Sequence, residues 1–173
     1  MIRMAAIEDM TEILKIIADA KALLKSKHSL QWQDDDGYPN GETFLDDIQT
    51  NSLYVACDQG RLVAVCALGR FGEPTYNVIY DGQWLNNEPF YVVHRLAVKK
   101  EAYGQGWAKK LMKKMEEICL DEGVKNIRCD TTFENEPMNQ LLINLDYQYC
   151  GIIHLTRTKI QDRLRKAYQK RLF

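Results

Sequence analysis

The stretch "HRLAVKKEAYGQGWAKKLMKKMEE", His94 to Glu117, puts an imidazole, two glycines within three positions and, after them, four lysines in one run. A strand that turns through Gly104 and Gly106 into a helix leaves backbone N–H groups converging on one spot, where the positive helix end adds to their attraction for an anion. Lys109, Lys110, Lys113 and Lys114 precede Glu116, Glu117, Asp121 and Glu122. That order is the reverse of what the helix dipole favours, at about 0.3 to 1 kcal/mol for each adverse charge. A phosphate-bearing ligand at the N-terminal end gives the order a purpose. A solvated face on which Lys113 pairs with Glu117 is the plainer alternative. The familiar nucleotide motifs are excluded: a P-loop needs Gly-Lys-Ser/Thr, and Gly104 to Lys109 lacks the third glycine of the dinucleotide fingerprint.

His94 belongs to the side-chain type that titrates near 6.5 and can trade a proton near neutrality. His28 and His154 stand alone, and no HExxH-like spacing supports a metal site. Cys57, Cys66, Cys119, Cys129 and Cys150 lie among apolar neighbours without a CxxC, which suits reduced packing residues and offers no Cys-His nucleophile. The segment "LQWQDDDGYPN" gathers Trp32, Tyr38 and the run Asp34, Asp35 and Asp36. Aromatic faces and carboxylates attract a cation, and the same composition suits an exposed acidic turn.

These residues need a scaffold. "IRMAA" reads as a short strand, and Ile7, Met10, Leu14 and Ile17 mark one face of a first helix. Gly37, Pro39 and Gly41 break the pattern before a shorter helix, "ETFLDDIQT". "LYVACDQGRLVAVCALGRF" predicts a hairpin turning at Asp58 to Gly60. The segment 72–89 is aromatic and turn-rich without a clear period, and "FYVVHRLAV" is a strand. Leu111, Met112, Met115, Ile118 and Cys119 form a helical stripe that ends at Gly123. "KNIRCDTT" is a further strand; Pro137 opens a helix with Met138, Leu141, Leu142 and Leu145 on its apolar face, and "YQYCGIIHL" and "KAYQKRL" close the chain as strands.

The expected fold is therefore a mixed α/β domain spanning 1–173, with no repeat or linker. A net charge of -1 argues against a general nucleic-acid surface, and acidic residues interrupt the first twenty positions where a secretory signal needs an apolar run. No stretch is long and apolar enough for a membrane helix, so a cytoplasmic protein is expected.

Over most of its length the chain resembles the GNAT superfamily, the Gcn5-related N-acetyltransferases. The resemblance is carried by "EAYGQGWA", which matches the cofactor motif Gln/Arg-x-x-Gly-x-Gly/Ala except for Glu101 in the first position, and by the order of the elements. It implies a twisted, mostly antiparallel mixed sheet flanked by helices. It also implies an acetyl-CoA site in which Leu96 offers its backbone N–H to the thioester carbonyl while Val98, Gly104, Gln105, Gly106, Trp107 and Ala108 hold pantetheine and pyrophosphate. "NEPMNQLLINLDY" resembles the family's later motif, with Asn135 as its cofactor-contacting asparagine. Leu142 stands where many members carry a tyrosine proposed to protonate the departing thiolate, which leaves the general acid unassigned. By the same resemblance His94 is the expected general base, with Glu88 behind it, and the loop with Trp32, Asp35 and Tyr38 meets an amine-bearing acceptor, small molecule or peptide. The expected activity is N-acetyl transfer by direct aminolysis in a ternary complex, without a metal. A noncatalytic acyl-CoA sensor is the alternative from another class.

Overall fold

The computed structural model describes residues 1–33, 37–156 and 164–173. Seven strands join one sheet in the order β1-β2-β3-β4-β5-β7-β6. They are β1 Ile2–Met4, β2 Leu53–Asp58, β3 Arg61–Gly69, β4 Tyr91–Val98, β5 Asn126–Thr131, β6 Gln148–His154 and β7 Leu164–Arg171. Every pairing is antiparallel except β4 with β5. The helices are α1 Met10–Ser26, α2 Gly41–Gln49, α3 Trp107–Asp121 and α4 Glu136–Asn144.

Side chains alternate across the strands, so each face of the sheet has its own core. Val55, Val65, Ala67 and Ala97 pack against Ile13, Ile16 and Ile17 of α1 and Phe44 of α2. Ala56, Ala64, Cys66 and Leu68 face the other way, onto Leu111, Met112, Met115 and Cys119 of α3 and Leu142 and Leu145 of α4. Each large side chain fully buried here contributes about 1.5 to 3 kcal/mol relative to exposure. The stripe expected on α1 is rotated: Ile13, Ile16 and Ile17 are buried, whereas Leu14 is 38% exposed and Ile7 lies in a 3-10 turn before the helix. Three isoleucines at i, i+3 and i+4 cover the sheet better than a row drawn through Leu14. Gly123 ends α3 with φ 78, as its capping role requires.

Two irregularities open the sheet. The parallel ladder of β4 and β5 contains Tyr91 with Ile127 and Val92 with Arg128 and goes no further, so the strands separate beyond it. Next to that gap, β4 bulges: Ala97 pairs with Val65 and His94 with Ala67, leaving Arg95 and Leu96 opposite Cys66 alone. Arg95 takes φ 54 at the bulge, a left-handed conformation that is unusual for a long side chain.

Candidate active site

A cavity of about 1120 Å³ occupies the opened sheet, with Val93 to Val98 of β4 on one side and Cys129, Asp130 and Thr131 of β5 on the other. At one end lie Gly104, Gly106, Trp107, Ala108 and Lys109, joined by Asn135 and Met138 from the start of α4. At the other end lie Trp32 and Tyr38 from the α1–α2 loop, and Phe71, Glu73 and Leu155.

The glycine end is built by backbone. Gly104 and Gly106 take φ 76 and 77, and a side-chain carbon at either would meet nothing within 4 Å. Glycine is required there by conformation rather than by crowding. Gly106 is the N-cap of α3, no side chain caps the helix, and its first turn holds no acid. Uncapped N–H groups at a helix start suit an anion. Lys110 places its ammonium 3.9 Å from the centre of the Trp107 ring. The reversed charge order has an explanation in tertiary structure as well: Glu122 accepts from Arg70 and Tyr91, and Glu116 pairs with Lys170 at 2.8 Å. The acids at the far end of α3 thus bind neighbours, while Lys109 borders the cavity.

Leu96, Val98, Gly104, Gly106, Trp107, Ala108 and Asn135 line the cavity. Gln105 differs from its neighbours: its side chain donates to Glu101 O at 3.1 Å and accepts from Trp107 Nε1 at 3.4 Å, bracing the turn. Asn135 caps α4, with Oδ1 accepting from the Met138 N–H at 3.3 Å. Leu142 is fully buried in the core between α4 and the sheet.

His94 stands between the two ends. Its ring edge rests on Gly69, where a side-chain carbon would lie 3.3 Å from Cδ2 and 3.4 Å from Nε2. Nε2 faces Glu73 Oε2 at 3.5 Å, and the His94 side chain is 21% exposed. Burial, with a smaller contribution from the adjacent Arg95 charge, pushes the imidazole down to about 3. The Glu73 carboxylate acts in the opposite sense. Burial thus sets the ring below the ordinary imidazole value near 6.5 and favours its neutral form. Glu73 is held in place because its Oε1 accepts from the Thr75 N–H at 3.2 Å, capping a 3-10 turn, Pro74–Asn77. Glu88, the other base considered, instead accepts from Asn126 Nδ2 at 3.1 Å and is absent from the cavity wall.

Arg95 crosses to the other face of the sheet. Its Nε and NH2 donate to Asp47 at 2.8 and 2.7 Å, and NH1 donates to the Tyr38 hydroxyl at 2.9 Å. Tyr38 therefore reaches the cavity while bonded to β4, and Trp32 packs partly into the α1–α2 core. Asp35 lies outside the described residues. Across the gap the Tyr76 hydroxyl donates to Asp130 Oδ2 at 2.6 Å, with Arg165 Nε 3.8 Å from Oδ1. Sequence reasoning missed Glu73, Asp47, Asp130 and Arg165. The one available signal was a charged residue, Arg95, inside an otherwise apolar strand.

All five cysteines are buried and free. Among the described residues there is no cluster of three or more His, Cys, Asp or Glu side chains able to hold a metal, and no helix is long and apolar enough to cross a membrane.

The profile of the acetyltransferase (GNAT) family matches residues 17–145, and the chain is a member of that family. A GNAT-family acetyltransferase from Streptococcus agalactiae is 32% identical, with TM-score 0.90 over 100% of this chain and 95% of that one. A GNAT-family acetyltransferase from Listeria monocytogenes, 22% identical, matches with TM-score 0.75 over 99% and 94%. A Salmonella typhimurium protein solved with its cofactor acetyl-CoA shares the fold, at 16% identity and TM-score 0.70 over 100% and 94%. No curated protein matches the chain.

Proposed function

We propose that the chain is an acetyl-CoA-dependent N-acetyltransferase that joins acyl donor and amine acceptor in a ternary complex. The observation that carries this reading is the single cavity running from the Gly104–Gly106 turn, past the β4 bulge, to Trp32 and Tyr38. When bound, acetyl-CoA supplies an acetyl group activated as a thioester. The first-turn N–H groups from Gly106 to Ala108 suit its pyrophosphate, with Lys109 nearby, and the β4 backbone at Leu96 and Val98 suits pantetheine and the thioester carbonyl. Asn135 borders the same end. The buried cysteines fit a reducing cytoplasm.

An amine attacks only through its lone pair, yet an alkylammonium has a pKa of about 10.4 and arrives protonated. The Glu73 carboxylate suits that cation at the acceptor end, and His94 Nε2, neutral in the resting state, is placed to receive its proton. Burial makes the imidazole a weak base, and Glu73 at 3.5 Å stabilises the imidazolium as it forms. As the nitrogen bonds to the acetyl carbon, the C–S bond breaks and the sulfur keeps the electron pair. The acceptor is a small amine or a peptide amine, for which Trp32 and Tyr38 offer aromatic faces.

A noncatalytic acyl-CoA sensor draws support from Leu142, a buried leucine where, by the resemblance, many members carry a tyrosine proposed to protonate the thiolate. The two readings separate by thiol release from acetyl-CoA with a panel of primary amines and peptides. Amine-dependent release with an acetylated product supports the enzyme; binding of acetyl-CoA with no release across the panel supports the sensor.

A further inference from the structure

We propose that Arg95 is a positioning residue that fastens the acceptor loop to the β4 bulge, so that acceptor seating and presentation of the Leu96 backbone to the thioester move as one unit. This rests on the N-acetyltransferase reading for what the two ends bind.

The backbone of Arg95 is the first argument. A non-glycine residue at φ 54 carries strain of order 1 to 3 kcal/mol and persists when its surroundings over-determine it. A bulge re-aims a side chain. Here it turns a guanidinium onto α2 and the loop, where three of its nitrogens are engaged. The planar fork matches a carboxylate with two parallel bonds, which a lysine cannot reproduce.

Burial is the second. The Arg95 and Asp47 side chains are 14% and 12% exposed. A buried ion pair is a poor source of net stability, because well-packed apolar residues commonly do as well, so the gain to look for is a fixed geometry. The geometry fixed here is specific. Arg95 sits between His94 and Leu96 in the chain, and its ψ angle orients the Leu96 N–H. The described residues of the loop have other anchors on α1, where Lys21 Nζ donates to Gly37 O and Gln33 Nε2 donates to Lys21 O at 3.1 Å. The Tyr38 hydroxyl, through Arg95, reaches the strand bearing the backbone assigned to the thioester. If the tie is cut, Arg95 can relax from the left-handed region and rotate the peptide that follows it.

The test uses Arg95→Lys and Tyr38→Phe, with acetyl-CoA as the titrated probe, hydrogen exchange read on residues 37–41 and on the Leu96 amide, and kinetics with any amine the wild type accepts. Arg95→Lys is expected to weaken acetyl-CoA by roughly tenfold and to speed exchange at both places, since a lost charged hydrogen bond is worth about a factor of ten or more. Tyr38→Phe cuts the loop arm alone. It should speed exchange at 37–41 and, to a smaller extent because Asp47 still holds the guanidinium, at the Leu96 amide, weaken acetyl-CoA by no more than about threefold and raise the acceptor KM about fivefold while kcat falls less. A folded Arg95→Lys with wild-type exchange and wild-type acetyl-CoA affinity overturns the proposal. If Arg95→Lys does not fold, Tyr38→Phe decides, and unchanged exchange at 37–41 overturns it. A wild type that binds acetyl-CoA but acetylates nothing defeats the functional reading, while the exchange and titration arms still judge the tie.

Discussion

The two ends of the cavity are made of different material. The glycine end is backbone: two residues at φ 76 and 77, an uncapped helix start, and few side chains that could be replaced to alter it. The proposed acceptor end is side chains brought from afar, with His94 wedged on Gly69, Glu73 capped onto Thr75 and Tyr38 held by Arg95 from β4. A donor common to a whole family can be held by groups that every sequence possesses. An acceptor that distinguishes one member from the next needs groups that mutation can change. Damage to the first end should therefore strike donor affinity, and damage to the second should strike turnover and acceptor choice.

The sharpest way to break this comparison is Gly106→Pro. Proline fixes φ near −65° and cannot reach the +77° of Gly106. The turn must refold, and acetyl-CoA affinity by calorimetry should fall by about 100-fold or more, since the whole cluster of N–H donors moves. Gly106→Ala keeps the space and adds only left-handed strain of about 1 to 2 kcal/mol, so a loss of roughly five- to thirtyfold is expected. Unchanged affinity in a folded Gly106→Pro variant would move the donor site elsewhere.

At the other end, His94→Gln should lower kcat by about 100-fold, the smaller part of the range for general-base catalysis, with acetyl-CoA affinity nearly intact. A variant that turns over like the wild type removes His94 from the proton path and directs attention to Glu73 with water. Gly69→Ala makes a finer cut. Its methyl would press on the ring at 3.3 to 3.4 Å and shift it by a few tenths of an ångström, so a several-fold fall in kcat is expected with donor affinity unaltered. Donor affinity falling in parallel with kcat would erase the distinction between the ends.

The same contrast explains what could be read from the sequence. Gly104, Gly106 and the apolar stripe of α3 are local signals, and each stands where its spacing implies. The order of strands and helices was equally legible, because alternation and helical period are local too. Glu73 was invisible: it sits in a turn-rich segment without a period, and its meaning comes from a contact with His94, 21 positions further along the chain. The Arg95 bulge could not be anticipated either, since simple alternation assigns Arg95 a face without revealing that an extra residue re-aims it at Asp47. The α1 stripe shows a milder form of the same limit. Leu14 and Ile13 are equally apolar on paper, and only the packing of α1 on the sheet shows that Ile13 is the buried one.

The smallest effect concerns stability rather than rate, and it tests the charge state on which the acceptor end depends. In the unfolded chain His94 titrates near 6.5; in the native protein burial and the Arg95 charge hold it down to about 3. Above pH 6.5 the ring is neutral in both states and contributes no slope. Between 6.5 and about 3 the unfolded chain binds the extra proton, so native stability falls as pH falls, by at most about 1.4 kcal/mol per pH unit. Urea midpoints at pH 7, 6 and 5 should therefore drop more steeply in the wild type than in His94→Gln, with a difference of roughly 2 kcal/mol accumulated by pH 5. Carboxylates that also titrate in this range, such as Asp9 and Glu122, both held low by arginine partners, are common to the two proteins and cancel. Equal acid slopes would mean that Glu73, 3.5 Å from Nε2, offsets burial and returns the imidazole to its ordinary range. In that case the rate of acetyl transfer should rise with pH through about 6.5, and the resting ring would be partly charged where a neutral one is now inferred.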